Sequence, residues 1–216
     1  KPQGRVALRL AVRVGSVDEE DHERGVAHMV EHLGFRATES YDSFAVVDFL
    51  ESIGAPFGAC QNAYTSFDET VYMLSVPTDR PGLVRTAVRI LHEWATRMRL
   101  SHEDVDGERS IVLEEWRAGR SSAGRMAESY WRTLTAGCVY ENRMPIGTEE
   151  VIRNVGAAAV QAFYRRWYRL PQMAAIVVGD IESTQSILSL LETEFESEVA
   201  LSEQALAVMT ATRPPV

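Results

Sequence analysis

Residues Val6 to Val14 read VALRLAVRV, with apolar positions alternating with polar or small ones. That is the period of a half-buried strand. Gly15-Ser16 breaks the run, and the acidic Asp18, Glu19, Glu20 and Asp21 that follow suit the positive first turn of a helix. This helix would carry Val26, Met29, Val30 and Leu33 and end near Gly34. A second helix is expected from Ser43 to Ser52, closed by Ile53-Gly54. TVYMLSV, from Thr70 to Val76, reads as a strand ended by Pro77. Leu83, Val84, Ala87, Val88, Ile90, Leu91, Trp94 and Met98 then recur at helical spacing. Ser101 followed by Asp104 fits a capping box, opening a helix that runs through Ile111-Val112-Leu113 toward Trp116. A helix from Ala157 to Trp167, a strand from Met173 to Val178 and a helix from about Ser183 to Phe195 complete the pattern. After Glu198 it weakens. Residues 1–198 read as a single domain and 199–216, with Arg213-Pro214-Pro215, as a tail or linker. Interspersed elements without strict βαβ alternation predict an α+β fold, an antiparallel or mixed sheet covered by helices on one face.

Composition narrows the function. The chain has 216 residues, enough for folding to bury roughly 70% of the unfolded surface. At 45% hydrophobic and 25% charged it is an ordinary globular composition. With 22 Lys+Arg against 31 Asp+Glu the net charge is −9, which argues against a nucleic acid as main partner, because phosphates need a basic face. No apolar run approaches the length of about 20 residues that spans a bilayer. Two cysteines, Cys60 and Cys138, are too few for a disulfide scaffold and do not choose among periplasmic, organellar and secretory compartments. The opening Lys1-Pro2-Gln3-Gly4 runs straight into a strand, which suggests a piece of a longer polypeptide or a processed form.

The chemistry is concentrated in His28-Met29-Val30-Glu31-His32, which holds two of the five histidines. On a helix, positions i and i+4 lie one above the other, about 6 Å apart along the axis. Two imidazoles so placed can chelate one metal ion, and Glu31 is near enough to reach a water on it. The order is that of the inverted zinc motif. A charged trio on a core helix is costly unless paired or metal-bound. Catalytic zinc takes three protein ligands and leaves a fourth position to water. A third ligand would come from Glu108-Arg109-Ser110-Ile111-Val112-Leu113-Glu114-Glu115, where Glu108 and Glu115 are two turns apart and share a face. Glu114 is rotated from Glu115 by roughly 100°. Spacing alone leaves Glu108 and Glu115 as alternatives.

His28-x-x-Glu31-His32, Asn62-Ala63-Tyr64-Thr65 and Glu108-Arg109-x-x-Val112-x-x-Glu115 together resemble the pitrilysin/insulinase family of zinc metalloendopeptidases. The likeness extends through Pro145-Ile146-Gly147-Thr148, Phe163-Tyr164-x-x-Trp167-Tyr168 and Val177-Val178-Gly179-Asp180. The wording HMVEH, TVYML and ERSIVLEEWRAG is nearest the PqqL-like branch. The resemblance implies one zinc ion held by His28, His32 and Glu115, with Glu31 as general base and Glu108 supporting the site. It implies a substrate strand at Asn62, Ala63, Tyr64 and Thr65, pairing with extended peptides by strand addition. It also implies a second homologous half, in the same chain or in trans, that encloses short or unfolded peptides and supplies groups missing here. Two departures stand out. The interval from His32 to Glu115 is a few residues longer than in most members, and the family's first strand would precede Val6.

Two rival readings differ in class. One is a non-catalytic scaffold or partner half of a processing protease, although such partners usually lose motif residues and this chain keeps them. The other is a small-molecule zinc enzyme of similar fold, resembling S-ribosylhomocysteine lyase, with Cys138 as third ligand. His22, His92 and His102, set among charged residues, are expected to be solvated, and the four tryptophans to pack.

Overall fold

The computed structural model describes residues 3–206. Strand β1 (Arg5–Val12) buries Val6, Leu8, Leu10 and Val12 and leaves the intervening side chains half exposed. Helices α1 (Val26–Arg36) and α2 (Ala45–Ser52) follow, then a hairpin of β2 (Gln61–Thr65) and β3 (Thr70–Pro77). Helices α3 (Leu83–Thr96), α4 (His102–Gly119), α5 (Ser122–Leu134), α6 (Glu149–Asn154) and α7 (Ala157–Trp167) precede β4 (Met173–Gly179) and α8 (Thr184–Leu206). The sheet order is β2-β3-β1-β4, and all neighbours are antiparallel.

Register builds the core. Val6, Leu8 and Leu10 pair with Val76, Leu74 and Tyr72 of β3, so one face of the two central strands is wholly apolar. Met29, Val30 and Leu33 of α1, Leu91 and Trp94 of α3, and Val160 and Phe163 of α7 close over that face. Each such side chain contributes about 1.5–3 kcal/mol through burial. Trp94 donates its indole N–H to the Gly34 carbonyl at 2.6 Å, and the Tyr72 and Tyr168 hydroxyls meet at 2.8 Å. The opposite face is open, and there Ile176 and Val178, paired with Arg9 and Ala7, are 46% and 61% exposed. This is the one-faced α+β sheet that the alternation predicts.

The chain departs from the sequence reading in three places. The acidic run after Gly15 forms two 3-10 turns, Ser16–Asp18 and Asp21–Glu23, not the first turn of α1. Gly25, at φ 108°, separates them from the helix. Glu19 instead folds back, accepting the backbone N–H of Gly25 at 3.0 Å and of Ala27 at 2.8 Å. Helices α5 and α6 had no counterpart in the pattern. Helix α8 runs to Leu206, and most of the segment expected as a tail or linker, 207–216, lies outside the described residues. Finally, His92 is buried, not solvated: its ring meets Phe195 edge-on at 4.9 Å, and the Thr96 hydroxyl lies 3.2 Å from its Nε2. His22 and His102 are exposed as expected.

Candidate metal centre

Two helices assemble the centre. α1 places His28, Glu31 and His32 on consecutive turns, and its N-terminus is tied down by Glu19. α4 starts on the Ser101–Asp104 capping box. Its Arg109 donates to the carbonyls of Ile152 and Val155 at the end of α6, which sets how the helix lies against its neighbours. Gly25 and Gly147 cross backbone to backbone, where a Cβ on Gly147 would fall inside Gly25. This brings the Pro145–Thr148 segment to the rim of the site.

One donor atom from each of His28, His32 and Glu115 lies within 4.8 Å of the other two. The Glu115 Oε2 is 3.5 Å from the Nε2 of His28 and 3.4 Å from the Nε2 of His32. The two rings stand edge to face with centroids 4.6 Å apart. Glu108, two turns before Glu115, does something different. Its Oε1 is 3.0 Å from the Nδ1 of His32, and its Oε2 is 3.4 Å from Arg36. That contact leaves Nε2 as the free nitrogen of His32, as metal-binding histidines require. Glu114 pairs with Arg117 at the surface and takes no part. Glu31 lies beside His28, its Oε2 3.9 Å from the His28 Nε2, and accepts the hydroxyl hydrogen of Thr65 at 2.8 Å.

Burial sets the charges. It lowers the His28 pKa to about 3, with the neighbouring His32 adding to the effect, so His28 is a neutral imidazole with a lone pair to give. For His32, burial also pulls downward, but the hydrogen bond its Nδ1 donates to Glu108 and the carboxylates of Glu31, Glu115 and Glu108 outweigh it and raise its pKa. Burial pushes Glu31 above the usual carboxylate range, opposed by the Thr65 hydroxyl and by His32. Two neutralisable imidazole nitrogens and one carboxylate oxygen are donors of the kind that catalytic zinc takes. The residues fit the ion.

The centre floors a cleft of about 600 Å³. Phe35, Phe44, Val47, Phe57 and Ile111 give one part of it an apolar wall, with Pro145 and Ile146 at the rim. Asn62, Ala63, Tyr64 and Thr65 line another side as part of β2, an edge strand of the sheet. Every residue proposed for the site from sequence therefore borders one cavity. Cys138 does not: it is exposed, and its Sγ donates to the Thr135 carbonyl. The sequence reading gave no role at the site to Glu19 or Arg36, which carry no motif of their own, and it quoted Arg109 within a motif without assigning it a contact.

The sequence model of the insulinase family (peptidase family M16) matches residues 1–137. The chain belongs to this family. A zinc protease of the PQQL-like type from Arabidopsis thaliana is 51% identical over 94% of the chain. The crystal structure of the first half of the periplasmic protease PqqL from Escherichia coli matches 91% of the chain and 42% of that structure, at 37% identity and a TM-score of 0.86. Pitrilysin, at 21% identity, shares the fold over 92% of the chain and 21% of that structure, with a TM-score of 0.77. The family members are much longer than this chain, which spans 21% of the Arabidopsis relative.

Proposed function

We propose that the chain is the metal-bearing part of a zinc endopeptidase that hydrolyses short or unfolded peptides, working with a second homologous half. The observation that carries this reading is the convergence of His28, His32 and Glu115 on one point, with the Glu31 carboxylate alongside. Zinc bound there would act as a Lewis acid, acidifying water and polarising the scissile carbonyl. His28, His32 and Glu115 would hold the ion, and Glu108 keeps His32 in the tautomer that can bind it. Glu31 accepts the proton of the attacking water and returns it to the leaving amine. Its raised pKa suits both transfers. Asn62 to Thr65 would align an extended peptide along the edge of β2, while the apolar wall around Phe35, Phe44 and Phe57 would receive an apolar side chain.

Glu31→Gln tests the mechanism. Gln is close in shape but cannot take a proton, and a general base is worth roughly 10²–10⁴ in rate. In an assembly that cleaves peptides, this variant should retain one zinc per chain and lose turnover by that factor. Near-normal turnover would remove Glu31 as the base.

A further inference from the structure

The side chains of β2 alternate, and the alternation divides the strand into two jobs. Gln61 is buried and donates to the Ala55 carbonyl, and Ala63 packs on the core. Thr65, two residues further on, faces the same side and reaches Glu31. Asn62 and Tyr64 point the other way, where the Tyr64 hydroxyl meets Glu69. The four residues that the resemblance groups as substrate contacts are thus not equivalent.

We infer that Thr65 is a positioning residue for Glu31, its hydroxyl donating to Oε2 at 2.8 Å and holding the carboxylate against the histidine face of α1. The inference rests on the reading of Glu31 as the base. Three observations support it. First, among the described residues Thr65 is the only side chain that hydrogen-bonds the buried Glu31 carboxylate, and the Thr65 backbone N–H acts on the same group as the weaker of the two. Second, the Thr65 proton has no competing acceptor of similar quality. The Thr70 hydroxyl is 3.4 Å away, against 2.8 Å for Glu31, and stands as a donor toward Thr65 and the Val14 carbonyl, which leaves the Thr65 proton for the carboxylate. Third, the strand end that carries Thr65 is pinned. Thr65 pairs with Thr70 across the hairpin, Ser66 N–H donates to the Glu69 carbonyl at 2.8 Å, and Thr70 pairs with Val12 of β1. A β-branched residue on a fixed strand has a restricted χ1, so the hydroxyl is aimed before any substrate arrives. Without it, the Glu31 carboxylate would keep only the weaker contact with the Thr65 backbone, and a displacement of about 1 Å at a reacting group can cost 10²-fold in rate.

The test compares Thr65→Val, Thr65→Ser, Asn62→Ala and Glu31→Gln in the full-length protease, with the crystal structure of this chain carrying Thr65→Val. Valine keeps the branch and removes the hydroxyl. The expected result is a kcat lowered about 10- to 100-fold with KM and zinc content unchanged. Thr65→Ser should restore most of kcat, and the metal-free crystal structure of Thr65→Val should show the Glu31 carboxylate rotated. Asn62→Ala should raise KM instead. Adding Thr65→Val to Glu31→Gln should cost nothing more, since the group being positioned is already gone. A Thr65→Val enzyme with normal kcat, a raised KM or an unmoved Glu31 would overturn the inference. If that happens while Glu31→Gln is inactive, the base assignment stands. If Glu31→Gln cleaves normally, the base is wrong and the positioning role falls with it.

Discussion

Glu108 and Glu115 sit on one face of α4, and the difference between them is one of reach. Glu115 ends between the two Nε2 atoms at 3.5 and 3.4 Å, while Glu108 ends on the far nitrogen of His32 and on Arg36. Glu115→Gln removes a charged ligand and should abolish tight zinc binding. Glu108→Gln removes a supporting contact, for which a loss of about 10- to 100-fold in affinity is typical. Competition titrations of zinc on the two variants check the order, and the reverse order would move the third ligand one pair of turns along α4. Spacing showed that the two carboxylates share a face but could not separate them, because periodicity carries no information about depth. What separates them is the packing of α4 on α1, in which Glu108 is buried and Glu115 half exposed. His92 escaped the sequence reading for a related reason: its polar neighbours in the chain say nothing of Phe195, which covers it from another helix.

At the scale of elements, strands and long helices were legible wherever one face is buried, as in β1, α3 and α7. α5 was not read, although Met126, Tyr130 and Leu134 recur at four-residue spacing, and the fold leaves that stripe exposed, with none of the helix's residues buried. α6, with six residues, is too short to show a period. The start of α1 is the more instructive failure. Acidic residues do serve its N-terminus, but through Glu19 reaching across Gly25 and not through a continuous first turn. Burial raises the Glu19 pKa to about 8, against the stabilising hydrogen bonds from Ala27 and Gly25. From about pH 4.5 to 8 the folded chain therefore keeps a proton that the unfolded chain has released. Stability should fall as pH rises through that window, by at most about 1.4 kcal/mol per pH unit from this group. Glu19→Gln presents the same carbonyl to the helix and cannot ionise. Urea melts of the metal-free chain should find the variant close to wild type at about pH 5 and more stable at about pH 8. Equal slopes for the two proteins would mean that Glu19 is already ionised in the folded state.

For the whole molecule the question is how much of a peptidase these residues make. The cleft contains the proposed base and the proposed three-atom ligand set, but Arg36, the one arginine or lysine lining it among the described residues, is engaged with Glu108 and faces Asp104. Among the described residues no free Lys or Arg is therefore left there to join the proposed zinc in meeting the charge that develops on the scissile carbonyl oxygen. Loss of a single oxyanion donor costs about 10²–10³ in rate. The chain spans about a fifth of the length of its Arabidopsis relative, and we expect the missing donors to come from a second homologous half. The exposed Ile176 and Val178 on the outer face of β4, and the exposed stripe of α5, are apolar surface that such a half or a second copy would cover. Expressed as this chain alone, the protein should fold, bind one zinc, and cleave a fluorogenic peptide slower than the assembled protease by at least that single-donor factor. Supplying the companion half in trans should raise the rate without changing zinc content. The assay needs size-exclusion chromatography alongside it, because exposed strands invite self-pairing. Rapid zinc-dependent cleavage by a verified monomer of this chain would show that the residues around His28 and Glu115 suffice, and that the second half serves substrate choice and not the chemistry.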